Sequence, residues 1–116
     1  MKPVIARFLP LSPATLHILL ALAGEDMHGY GIMQEVTRQT EGAYKLGPGT
    51  LYDNLQRLMD QGIVKEKGQR DTEDARRRYY TLTSLGRGVL SAEINRLESV
   101  IRHARLHVKR PVLRSN

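Results

Sequence analysis

The side chains best suited to recognising a partner lie between Gly47 and Gly62: Thr50, Tyr52, Asp53, Gln56 and Arg57, preceded by Gly49. They offer hydroxyls, a carboxylate, a carboxamide and a guanidinium, groups that hydrogen-bond to base edges and phosphates. At helical spacing, Asp53, Gln56, Arg57 and Asp60 share one face, with Thr50 and Tyr52 on its flanks. Leu51, Leu55, Leu58 and Met59 form the opposite, apolar stripe and must face a core. Arg57 is expected to contact guanine, and Gly49 to let backbone and helix-terminal N–H groups approach phosphate. Tyr52 reads either as a DNA contact or as a packing residue at the edge of the stripe. Further on, Lys65, Lys67, Arg70, Arg76, Arg77 and Arg78 are candidates for backbone or minor-groove contacts. Glu66, Asp71, Glu73 and Asp74 are interleaved with them and cancel part of that field.

Catalytic chemistry has little to build on. The chain has no cysteine, so it lacks a thiol nucleophile, a disulfide framework and a Cys-based zinc site. Gly29 and Gly31 make a lone GxG that no later residue completes into a nucleotide fingerprint, and no HExxH motif occurs. No cofactor is expected, and close packing is the better reason for those glycines. His103 and His107 share a helix face but have no third ligand nearby, so they read as solvated groups near a helix C-terminus, not as a metal site. An enzyme is therefore not expected.

A formal charge of +6 and a pI near 10.0 favour a polyanionic partner, nucleic acid first, although acidic proteins and membrane surfaces share that requirement. The chain's 116 residues suit one domain with one modest core. The absence of Trp argues against an aromatic ligand cage. Lys2 followed by the apolar run Ile18 to Ala23 superficially copies an export signal. Ser12-Pro13 is instead a good N-cap and first-turn pair for a folded helix, and the run is too short to span a bilayer. A cytoplasmic protein without membrane contact is expected.

Four segments must position these groups. Residues 1–11 read as an extended or loosely packed arm. Residues 12–82 read as a winged helix-turn-helix domain: helix one from Pro13 to Gly24, burying Leu16, Leu19, Leu20 and Ala23; helix two opening at Met27-His28, with Ile32, Met33 and Val36 inward; and the helix ending at Gly62 as the third member. Ile63 to Lys67 and Arg76 to Leu82 alternate as the two strands of a β wing, with Tyr80 and Leu82 on one side. Residues 83–108 read as a long helix capped by Thr83, and 109–116 as a basic tail. The fold class is mainly α, a three-helix core plus a two-stranded wing. About 24 helical residues reach roughly 36 Å, further than a small domain covers, so the stripe of Leu90, Ile94, Leu97, Val100, Ile101 and Ala104 is expected to pack on a second copy. The alternative is that this helix folds back on helix one.

Three blocks then resemble the PadR family of transcriptional regulators: His28-Gly29-Tyr30-Gly31-Ile32, Gly49-Thr50-Leu51-Tyr52 with Leu55 and Arg57-Leu58, and Arg78-Tyr79-Tyr80-Thr81-Leu82-Thr83 with Gly86-Arg87. The likeness runs from Leu16 to about Ile101. It implies a homodimeric winged-helix repressor on a pseudo-palindromic DNA operator, often answering to a small-molecule effector. A single helix after the wing implies the compact branch of the family. Asp53 departs from the pattern, standing where the family often has Pro. A carboxylate there is expected to pair with Arg57 or accept from a cytosine, limiting operator choice more than adding affinity. Without Trp an aromatic-stacked effector pocket is disfavoured, which leaves open an apolar one lined by Leu90 and Ile94. The rival reading is a winged helix serving as a protein-interaction module without operator specificity.

Overall fold

The computed structural model describes residues 3–68 and 78–108. Along the chain the elements are α1 (Pro3–Ala6), α2 (Pro13–Gly24), β1 (Met27–His28), α3 (Gly29–Gln39), α4 (Pro48–Asp60), β2 (Val64–Lys67), β3 (Tyr79–Leu82) and α5 (Ser84–Val108). The architecture is the expected winged helix-turn-helix, in which α2, α3 and α4 form the helical core and β2 and β3 the wing.

α2 is the hub. The Ser12 hydroxyl accepts from the Thr15 amide at 3.2 Å, and Pro13 occupies the first turn, where no N–H is needed. The helix contacts α3, α4, α5 and β3. Its buried residues are Thr15, Ile18, Leu19, Ala21 and Leu22. Of the four expected inside, only Leu19 is buried; Leu16 and Leu20 are half-buried and Ala23 is exposed. A helix apolar on almost every side has no dominant phase, so its neighbours choose the buried face.

Two other expectations are corrected. Met27 and His28 do not open a helix: they form β1, antiparallel to β3 with Met27 opposite Tyr80 and His28 opposite Tyr79. The sheet therefore has three strands, ordered β1-β3-β2, instead of two. His28 still serves the helix that follows, because its Nδ1 accepts from the Gly31 amide at 3.1 Å as the N-cap of α3. The arm is not loose either. It holds the short helix α1 against α5, and Ile5, Phe8, Leu9 and Leu11 pack on the core.

The ends of α4 and α5 follow local chemistry. Gly62 adopts φ +79°, a left-handed exit that costs glycine least, and the Ile63 amide donates to the Leu58 carbonyl at 2.9 Å to close the helix. Thr83 then caps α5: its hydroxyl accepts from the Gly86 amide at 3.0 Å and donates to the Gly62 carbonyl at 2.6 Å. A Cβ on Gly86 would collide with the Ile63 carbonyl oxygen, so glycine is what lets α5 lie against the start of the wing. Gly86, Val89, Leu90 and Glu93 are the buried residues of α5, and beyond Glu93 none is buried.

Candidate nucleic-acid interface

α4 presents the face its spacing predicts. Leu51, Leu55 and Leu58 are buried, while Gly49, Thr50, Tyr52, Asp53, Gln56 and Arg57 are exposed. Nothing lies within 4 Å of where a Cβ on Gly49 would sit, so that turn is open to an approaching backbone. Gln56 Nε2 donates to Asp60 Oδ1 at 3.2 Å, which orders the middle of the face.

Asp53 and Arg57 do not pair. Arg57 turns to the flank, where its Nη2 donates to Asn54 Oδ1 at 2.9 Å. Asn54 is buried and also accepts from Thr15 Oγ1 at 2.9 Å, while its Nδ2 donates to the Thr50 carbonyl at 2.8 Å. Ser12 Oγ donates to Thr15 Oγ1 at 3.0 Å and completes the chain of contacts. This network bolts α4 to the N-terminus of α2, with every hydrogen-bonding atom of the Asn54 side chain in use, as a buried amide requires.

Tyr52 is a packing residue that stays open to solvent. It is 47% exposed, yet its ring lies over Gly29, where a Cβ would overlap the phenol oxygen and sit 2.8 Å from Cζ. Gly29 is thus a packing glycine that seats Tyr52 on the first turn of α3. Burial raises the pKa of the neighbouring Tyr80 phenol, and the Tyr52 hydroxyl adds to the effect. Tyr30, one residue past Gly29, is 62% exposed.

On the wing, Lys65, Lys67 and Arg78 are exposed, whereas Arg70, Arg76 and Arg77 lie outside the described residues. Lys67 Nζ pairs with Asp26 Oδ2 at 2.8 Å and Arg78 Nη1 with Glu66 Oε2 at 3.2 Å. Exposed pairs of this kind hold about 0–1 kcal/mol, so an incoming phosphate can displace them. Lys65 has no ion-pair partner among the described residues.

The α5 stripe divides. Leu90 is buried in the protomer's own core and is unavailable to a second copy. Ile94, Val100 and Ile101 are 39%, 51% and 48% exposed, Leu97 is half-buried and Ala104 is exposed. Leu90 thus points into the core, and an open groove of about 890 Å³ lies between α1 and α5, lined by Val4, Ile5, Leu85, Gly88 and Ala92. Glu93, not singled out in the sequence, is 1% exposed and accepts from the Leu11 amide at 3.1 Å and from Arg96 at 2.7 and 3.0 Å. His103 Nδ1 lies 3.1 Å from the Ser99 carbonyl oxygen, one turn back along the helix. No described helix is long and apolar enough to cross a membrane.

Comparison with known proteins agrees with this geometry. Residues 18–92 match the model of the transcriptional regulator PadR-like family. The transcriptional regulator Rv3488 of Mycobacterium tuberculosis is 37% identical over 87 residues, covering 75% of this chain and 78% of that protein. Among solved structures, a transcriptional regulator from Clostridium thermocellum superposes with a TM-score of 0.70 at 25% identity, covering 93% of this chain and 97% of that one. Bacillus subtilis PadR in complex with operator DNA shares the fold at a TM-score of 0.64 and 21% identity, covering 73% of this chain and 48% of that one. With its recognition-type helix, three-stranded sheet and trailing helix, the chain belongs to the PadR-like family of transcriptional regulators, which are not enzymes.

Proposed function

We propose that this protein is a cytoplasmic, homodimeric repressor that binds a pseudo-palindromic DNA operator through α4 and its wing, and that a small molecule relieves it. The observation that carries this reading is the α4 face, where Thr50, Tyr52, Asp53 and Gln56 stand exposed over three buried leucines. That arrangement suits insertion into a major groove. Lys65, Lys67, Arg70, Arg76, Arg77 and Arg78 are the side chains proposed for phosphate contacts. Asp53, unpaired with Arg57, keeps its acceptor capacity for a cytosine N4 and narrows the choice of operator.

The distal half of α5 supports pairing. Ile94, Leu97, Ile101, Ala104 and Val108 fall alternately three and four residues apart, the narrow seam of a helix that packs along another helix. A two-fold pair sharing this seam carries two α4 helices, which is what a pseudo-palindrome requires. The groove between α1 and α5 opens beside the same helix and is where a small apolar effector would sit. Footprinting on the DNA upstream of the protein's own gene is expected to show two protected half-sites about 10 bp apart, or a multiple of that. Binding that ignores sequence, with no footprint, would leave a protein-interaction module as the better description.

A further inference from the structure

Arg57 does not stand where a base reader would. It lines a recess of about 280 Å³ on the flank of α4, together with Arg7 of the arm, the cap residue Ser12 and Thr15 of α2. Neither arginine has a carboxylate partner among the described residues. Asp53 and Asp60, the acidic groups of α4, leave Arg57 alone, and Asp60 accepts from Gln56. What holds Arg57 is the neutral, buried Asn54. A guanidinium fixed by a carboxamide keeps its full charge and most of its N–H groups, whereas one fixed by a carboxylate would be largely neutralised. Two arginines without a carboxylate partner among the described residues, lining one concavity, give it a positive charge that suits an anion.

We propose that Arg7 and Arg57 together hold one phosphate of the DNA backbone in this recess, with Asn54 as the positioning residue that aims Arg57. The assignment rests on the DNA-binding reading above. It moves Arg57 from base recognition to the wall of the groove and brings the arm into the interface. Asn54, through its bonds to Thr15 and the Thr50 carbonyl, sets the clamp and the start of α4 in one rigid frame.

The test is fluorescence anisotropy on the full chain, with an end-labelled duplex of the upstream segment and a scrambled duplex of equal length, from about 50 to about 200 mM KCl. Arg7→Ala with Arg57→Ala should weaken binding to both duplexes by the same factor and flatten the plot of log affinity against log salt by about 0.9, one phosphate's worth. Asn54→Asp, which places a carboxylate against the guanidinium, should weaken both duplexes as Arg57→Ala does while the circular dichroism spectrum stays that of the wild type. If Asn54→Asp unfolds, Arg7→Ala, at an exposed position of the packed arm, still decides the matter by its slope. An unchanged slope in the double variant, or a loss confined to the upstream duplex, would overturn the clamp. So would a wild-type melting shift with inorganic phosphate, beyond that of chloride at equal ionic strength, that the double variant abolishes; the recess would then be a site for a free anion. Wild-type protein that binds neither duplex would remove the DNA reading itself, a result distinct from a failure of the clamp alone.

Discussion

α5 is one helix with two fates. From Ser84 to Glu93 it is part of the core: Val89 is fully buried, Leu90 is 5% exposed, and α1 and Leu11 fasten it from outside. From Ile94 to Val108 the same apolar cadence continues, but Val100, Ile101, Leu106 and Val108 are each about half exposed or more. Nothing in the spacing changes at residue 93. What changes is burial: no residue of α5 beyond Glu93 is buried, and Glu93 with Arg96 forms a polar seal at that boundary. A helical period therefore reports which face is apolar, and only the neighbouring elements decide what covers it.

The sharpest way to break this comparison is to truncate equivalent side chains in the two halves. Leu90→Ala should cost about 2–5 kcal/mol in urea denaturation, because the cavity sits inside a close-packed core. Ile101→Ala, measured at concentrations dilute enough to exclude association, should fall within about 0.5 kcal/mol of the wild type. Similar losses at both positions would mean that the distal half is covered within the protomer, and the contrast would disappear.

A smaller effect is expected at the boundary. The Arg96 guanidinium, hydrogen-bonded to Glu93, holds that carboxyl below the ordinary value of 4.5, and the Leu11 amide helps against the opposing effect of burial. Glu93→Gln should cost about 1–3 kcal/mol, nearer the low end because Arg96 remains partly solvated. The sign with pH follows from the lowered pKa. The charged form is the one the fold favours, so the stabilisation is fully present above about 4.5 and is lost as pH falls through the folded-state value. Glu35, held at about 2 by Arg38, and Asp26, lowered by Lys67, titrate over the same acid range. Their surface pairs weaken in salt while the buried carboxylate responds less, so denaturation in about 1 M salt isolates Glu93. The variant should lose the acid-labile part of stability that persists there; an unaltered acid limb would detach the arm from this carboxylate.

Much of the fold was legible where local chemistry punctuates the chain. Ser12-Pro13, Gly47-Pro48, Gly62 and Thr83 set the ends of α2, α4 and α5 as expected. β1 was not legible, since two residues carry no period and Met27-His28 becomes a strand only because β3 offers it an edge. α1, a four-residue helix, is too short to be declared by propensity and owes its place to α5. In the site, the exposed side of α4 could be read from spacing, but the direction of Arg57 could not. That direction is set by Asn54, whose partner Thr15 lies 39 residues away, and pairings at such separation leave no mark on local pattern. Glu93 was hidden for the same reason, its contact with Leu11 spanning 82 residues.

The change expected to disturb the protomer least tests the distal half most directly. Leu97→Lys with Ile101→Lys places two charges on the seam, where Leu97 is half-buried and Ile101 is 48% exposed. The protomer's circular dichroism spectrum should remain that of the wild type, because the core ends before these positions. If the seam is where two copies meet, lysines there must lose their hydration to enter it, and analytical ultracentrifugation should show monomers. Operator affinity should fall by more than the change in charge explains, since added positive charge alone would tighten binding to a polyanion. The two quantities move in opposite directions, which makes the outcome hard to mimic: weaker binding by a more basic protein points to lost pairing. A double variant that still sediments as a dimer would show that some other surface joins the copies, and the bare half of α5 would need a different cover.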